Sequence, residues 1–384
     1  MRPVLRAVRR IGRKTAAGAL ETAVRVAAAA SPGSAEPPRE PRSVFVLRNN
    51  DVGDLLVVTP LFEALRRRFP EARIAAGVGS WNLDVLRHNP HVSELLPVNA
   101  PWFNKYQGTA GPLDRLAYLA RSPEVREVAA RRFEVGIDVL GSAWGSLLLL
   151  RACIPCRLGV HGYAGGHSAA QAVVTFDPAE HVGRSALRFA ELLGAADLPP
   201  NRPQLFLAPQ EQEEGERWWA AGEQGRRTRR LVIAPGGGLV EKRWPVESFA
   251  ALAAALAGVE ELSVLVLGGP RERNLVEPVA AALPRVRTFA EPPGLRQVFA
   301  LLAACDLVVC NSSMPLHVAT AFGKPTVVLL GEAFPSAIAH QAQWGYPGLS
   351  VSLGKEPGMR ERLASPEEAR EAVQQVLESA VLER

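Results

Sequence analysis

From Ser43 onward the chain alternates short apolar runs with amphipathic stretches. The runs SVFVLR (43–48), RIAAGVG (73–79), ELLPVN (94–99), VGIDVLG (135–141) and CRLGV (156–160) predict strands. Between the first two, PLFEALRRRFP sets Leu61, Phe62, Leu65 and Phe69 at helical spacing, with arginines on the other side. RSALRFAELLGA (184–195) is a second such helix. The alternation stops near residue 199 and restarts after 230. It then gives LVIAPGGG (231–238), the helix SFAALAAALAG, SVLVLGG (263–269), the helix LRQVFALLAAC, DLVVCNSS (306–313) and TVVLLG (326–331). These later strands are apolar throughout, as strands buried on both faces are. Strand–helix repetition of this kind predicts parallel, doubly wound sheets, one in each half.

A chain of 384 residues is long for one core and suits two domains. The expected layout is a leader over 1–42, a Rossmann-like domain over 43–205, a second over 206–364, and a closing helix over 365–384. Residues 199–230, with PPNRPQ, the charged segment PQEQEEGERWWAAGEQG and RRTRR, read as the junction. Ser365-Pro366-Glu367-Glu368 is a capping box that opens the last helix.

Charge is uneven. The chain carries +5. Its first 42 residues hold nine Lys and Arg against three Glu, or +6, which leaves −1 for the rest. The basic character therefore belongs to the leader, and the body lacks the broad basic face of a nucleic-acid binder. The leader reads either as a basic interfacial helix or as a disordered extension. Glu21 and Arg25 interrupt the apolar stretch that a signal peptide would need. No apolar run reaches membrane-spanning length. Four cysteines are too few for a disulfide scaffold, and a reducing cytoplasm fits. Cys153 and Cys156 form a lone CxxC with no second ligand pair, and Cys305 and Cys310 flank an apolar strand as small buried residues.

The unusual polar clusters fall at strand ends, where open α/β sheets bind ligands. LRNNDVGD, after the first strand, brings Arg48, Asn50, Asp51 and Asp54 to one turn. One acid there can serve the helix dipole; a second suggests a general base. APGGGLVEKRWP, after the strand LVIA, offers Gly236, Gly237 and Lys242 to a diphosphate, or is a glycine turn with a solvated basic pair. CNSSMPLH, after DLVV, places Ser312 and Ser313 at a helix start with His317 one turn in. That suits an anion, and equally a plain cap with a packed histidine. LRNNDVGD lacks the glycine spacing of a dinucleotide-binding dehydrogenase.

Taken in order, these segments resemble glycosyltransferase family 9, the ADP-heptose:lipopolysaccharide heptosyltransferase-like group with the GT-B fold. The resemblance rests on Arg48, Gly53-Asp54 and Thr59-Pro60, then Lys242 to Pro245, then Gly268 to Pro270. It ends with Asn311 to His317 and Gly323 to Pro325, and spans roughly residues 43–380. It implies two Rossmann-like domains facing a cleft. It also implies an inverting, metal-independent transfer of a heptose-like sugar from a nucleotide-diphosphate sugar, such as ADP-heptose, to lipopolysaccharide or another lipid-linked glycan. Asp54 would be the base, Lys242 would neutralise the diphosphate, and Ser313 and His317 would bind the donor. No cofactor is implied. The expected location is the cytoplasm, with the leader touching the inner face of the membrane.

Two positions depart from the family pattern. Ser312 stands where the family carries Asp, and Met314 where it carries Gly. These departures leave the donor nucleotide and sugar open. A nucleotide-sugar epimerase of the same fold is the enzyme alternative. A non-catalytic sugar-nucleotide binding protein at the membrane is the other, and Asp54 argues against it, since a binder needs no base.

Overall fold

The computed structural model of the chain describes residues 17–31, 33, 36–108, 110–223, 228–259, 262–289, 293–358 and 362–382. It divides into two compact units, Met1–Asp177 with Gly183–Asn201, and Pro178–Val182 with Arg202–Arg384.

The first unit is built on six parallel strands: β1 (Ser43–Leu47), β2 (Arg73–Val78), β3 (Glu94–Pro97), β4 (Val135–Asp138), β5 (Cys156–His161) and β6 (Ala172–Thr175). Their order in the sheet is β3-β2-β1-β4-β5-β6. β1 is buried along its whole length, which is why it reads as an unbroken apolar run. Phe45 and Leu47 join Trp102, Phe133, Trp144 and Leu148 in the core on one face.

The second unit repeats the design with β7 (Arg229–Ala234), β8 (Leu262–Val266), β9 (Val286–Arg287), β10 (Leu307–Cys310), β11 (Thr326–Leu329) and β12 (Ser350–Leu353). Their order is β12-β11-β10-β7-β8-β9, the same winding read from the other edge. In both sheets the winding direction reverses beside the first strand, between β1 and β4 and between β7 and β10. A crevice opens at the carboxyl ends of such a pair, because the flanking connections leave in opposite directions.

Three findings alter the expected layout. The leader is not a disordered extension throughout: residues 17–29 are helical, and Val24 is fully buried against Ala143 and Ala169. Arg25 reaches His167 at 2.9 Å. The leader's first 16 residues lie outside the described ones. The charged helix Pro209–Glu223 is not a linker either. It belongs to the second unit, with Trp219 fully buried and its Nε1 donating to Leu301 O at 3.1 Å. Edge strands β6, β9 and β12 complete the sheets beyond those the sequence predicts. The capping box at Ser365 forms in both directions, Ser365 N to Glu368 Oε2 at 2.7 Å and Glu368 N to Ser365 Oγ at 3.2 Å.

Candidate functional sites of the two units

In the first unit, β1 ends at Leu47, and the next residue, Arg48, is almost wholly buried. Its Nε donates to Asp54 O at 3.2 Å, and its Nη2 lies 3.7 Å from Asp54 Oδ1. Asp54 Oδ2 accepts from Asp51 N at 3.3 Å, so one oxygen closes the start of the helix Val52–Leu56. About a third of the Asp54 side chain stays exposed. The result is a solvent-reachable carboxylate held by a buried cation, which suits a proton acceptor. Asp51 is engaged differently. Lys105 donates its backbone N–H to Asp51 Oδ1 at 3.3 Å and brings Nζ to 3.7 Å from Oδ2. Burial raises the Asp51 carboxyl above its ordinary value, against the pull of Lys105.

Asn50, expected to face an acceptor, is buried and ties loops together. Its Nδ2 donates to Phe103 O at 2.7 Å, and its backbone O accepts from Trp81 Nε1 and Asn82 Nδ2. A further acid stands at the end of β4. Asp138 pairs in register with Leu47, is buried, and accepts from Ser142 N at 2.8 Å. Burial pushes its carboxyl up to about 6, with the backbone N–H groups of Ser142, Gly141 and Leu140 and the charge of Arg48 acting the other way. Gly145 packs tightly beside it, since a Cβ there would meet Asp138 Oδ2 at 2.1 Å and push the carboxylate aside.

In the second unit the glycine loop after β7 is stapled from two sides. Asn311, one residue past β10, donates to Pro235 O at 2.7 Å and Gly236 O at 3.0 Å, and accepts from Trp244 N at 2.8 Å. Glu272 accepts from Gly237 N at 3.0 Å and Gly269 N at 2.7 Å. The Gly237 amide, expected to face a phosphate, is thus engaged by a carboxylate. A Cβ on Gly236 would meet Glu272 Oε2 at 2.3 Å, so that glycine serves close packing. Arg243 turns back onto Gly237 O, at 2.9 Å from Nε and 2.6 Å from Nη2. Lys242 differs from it. Its Nζ sits 5.6 Å from the centre of the Phe334 ring, and among the described residues no carboxylate pairs with it.

Ser313 stands at the N-cap position of the helix Met314–Ala321 in extended conformation, but its Oγ makes no cap and donates instead to Asn311 O at 3.2 Å. His317 does not point outward. It is 4 % exposed, hydrogen-bonded through Nδ1 to Tyr346 Oη at 2.7 Å, and pushed down to about 3 by burial and by His181 and His340. The residue that meets Ser312 is His340, from the helix Ala337–Trp344, with Nε2 2.8 Å from Ser312 Oγ. Cys305 and Cys310 are buried as expected, and burial raises the Cys305 thiol to about 12.

Residues 124–347 match the model of glycosyltransferase family 9 (heptosyltransferase). The chain belongs to this family. It is a glycosyltransferase with the GT-B fold. Lipopolysaccharide heptosyltransferase 2 of Salmonella typhimurium is 26 % identical over 313 residues, covering 78 % of this chain and 86 % of that protein. A family 9 glycosyltransferase structure from Veillonella parvula superposes with a TM-score of 0.72 at 21 % identity, over 88 % of this chain and 98 % of that one. The structure of E. coli ADP-heptose lipopolysaccharide heptosyltransferase II gives 0.69 at 22 % identity, over 88 % and 99 %.

The first unit thus brings Arg48, Asp51 and Asp54 to one turn, and in the second Ser312 meets His340, on which the charge of Lys242 acts. Three contributors escaped the sequence reading. Asp138 was signalled only by an acid closing an apolar strand. Glu272 sits in a charge run, and His340 in an alanine- and glutamine-rich helix.

Proposed function

We propose that the protein is an inverting, metal-independent glycosyltransferase of lipopolysaccharide or related lipid-linked glycan synthesis, using ADP-heptose or a similar nucleotide-diphosphate sugar. The observation that carries this reading is the one-third-exposed Asp54 carboxylate beside buried Arg48 at the winding reversal of the first sheet. Asp54 takes the proton of an acceptor hydroxyl as its oxygen attacks the anomeric carbon. The sugar–phosphate bond breaks with its electron pair on the diphosphate, and the anomeric configuration inverts. Lys242 neutralises the charge that grows on that leaving group. The lipopolysaccharide acceptor is supported by the names of the relatives the chain resembles.

The test is transfer from ADP-heptose to a lipid-linked acceptor, with the product's anomeric configuration read by NMR. Retention of configuration would refute the one-step displacement. Loss of activity on chelation would refute metal independence.

The acceptor also implies a place at the inner face of the cytoplasmic membrane, with Arg2, Arg6, Arg9 and Arg10 supplying attraction of about 1 kcal/mol each near an anionic bilayer. The full chain should sediment with phosphatidylglycerol vesicles at low salt and release at high salt. The quadruple Arg→Gln variant should sediment less. Equal sedimentation would move the contact elsewhere on the protein.

A further inference from the structure

Behind the end of β10 runs a chain of hydrogen bonds whose direction is fixed at one end. The backbone oxygen of Ser350 can only accept, and Gln341 Nε2 donates to it at 3.0 Å. That orients the amide and turns Gln341 Oε1 toward Ser352, whose Oγ is 2.8 Å away. An amide oxygen only accepts, so the single Ser352 proton is committed there. His340 Nδ1 lies 2.8 Å from the same Ser352 oxygen and must therefore donate. Burial, reinforced by the charges of Lys242 and His181, keeps the ring neutral, pushed down to about 3. A neutral ring protonated at Nδ1 carries a lone pair at Nε2. Ser312 Oγ, 2.8 Å from that nitrogen, must give its proton to it.

Every step follows from the one before, back to a backbone carbonyl. The consequence is at the front. Ser312 is half-buried, and among the described residues its Oγ has no other partner. With its proton turned inward, it offers the site lone pairs only. A free serine hydroxyl both donates and accepts and would discriminate poorly between ligand groups. This one behaves toward a ligand as a carboxylate would, without the charge.

We infer that Ser312 is a specificity-determining residue, a one-way hydrogen-bond acceptor for a hydroxyl of the nucleotide sugar, and that His340 is the positioning residue that fixes its direction. The hydroxyl belongs either to the ribose or to the transferred sugar, both of which flank a diphosphate held at Lys242. The inference rests on the donor reading of the second unit.

Calorimetry of ADP and ADP-heptose on the full chain tests it. Ser312→Ala should weaken at least one ligand by about three- to tenfold, the worth of one neutral hydrogen bond. A loss already present with ADP assigns the ribose; a loss seen only with ADP-heptose assigns the sugar. His340→Phe should weaken the same ligand, because the freed proton can then turn outward, while Ser312→Thr should bind normally. Unchanged affinity of Ser312→Ala for both ligands, with the wild type binding, overturns the inference alone. A wild-type chain that binds neither overturns the donor reading and the inference with it. Independently of any ligand, the nitrogen-15 spectrum of His340, assigned by its disappearance in His340→Phe, should show a protonated Nδ1 and a bare Nε2. An Nε2–H ring or an imidazolium overturns the relay.

Discussion

The two units wind their sheets identically, yet the chemistry at their winding reversals is opposite. The end of β1 and β4 gathers three carboxylates: Asp54 and Asp138 feel the buried Arg48, and Asp51 pairs with Lys105. The end of β7 and β10 gathers neutral imidazoles and hydroxyls, with Lys242 beside them unpaired with any carboxylate among the described residues. The fold supplies a place in each case, and the residues decide what the place can do. On the proposed function, the first end would remove a proton, and the second would hold an anion and read hydroxyl groups.

The sharpest way to break this contrast is at Asp54. Asp54→Asn keeps the bond to Asp51 N sterically possible and removes the base. Turnover should fall by roughly 10²–10⁴, the usual contribution of a general base, with donor affinity unchanged. Asp51→Asn should cost less, since Lys105 already occupies that carboxylate. If the two variants exchange their effects in a steady-state assay, Asp51 is the base and the first unit has been read one turn out.

In the second unit the corresponding change is Lys242→Ala. A charge-assisted contact is worth about 1.5–3 kcal/mol, so a nucleoside diphosphate should bind about ten- to a hundredfold more weakly. The nucleoside alone should bind as before. Equal loss for both ligands in a titration would make Lys242 a support of the loop, and the contrast between the units would lose its cation.

How far the sequence carried this picture depends on what a residue's role rests upon. Strands such as β1 and β10 are legible because burial on both faces leaves an unbroken apolar run. The edge strands β6, β9 and β12 are not, because each is short and only partly buried. The helix over 17–29 hides in alanines, with Val24 as its fully buried anchor. Asp54 and Lys242 could be singled out as candidates because their setting is local, at a strand end. Glu272, Asp138 and His340 could not, because their partners lie far off in the chain. Glu272 reaches Gly237, 35 residues away, and His340 reaches Ser312, 28 away. The same reason explains the reversal at His317. Helical spacing placed it one turn into the site helix, but only the packing of Tyr346 decides that it faces inward.

The smallest effect per group, and the one that sets the two units against each other most directly, is their response to acid. Asp138 is raised from 3.8 to about 6 in the folded chain. Between those values the folded state binds a proton that the unfolded state does not. Stability from this group is therefore fully present below about 4 and is lost as pH rises through 6. Lowering the pH from 7 to 5 should strengthen the first unit by about 1 kcal/mol through Asp138. His317 and His340 are lowered from 6.5 to about 3, so the sign reverses. Their contribution is present above 6.5 and is lost as pH falls toward 3. The same step from 7 to 5 should weaken the second unit by about 2 kcal/mol for a histidine so buried. Hydrogen exchange at graded urea, corrected for the pH dependence of intrinsic exchange, resolves peptides of the β1–β6 sheet from those of the β7–β12 sheet. Protection should rise in the first and fall in the second. Asp138→Asn should shrink the rise to the share of the raised Asp51 carboxyl and leave the fall. Movement of both sheets in the same direction would mean that the acids and imidazoles buried at the two reversals do not control their units, whatever they contribute to the chemistry.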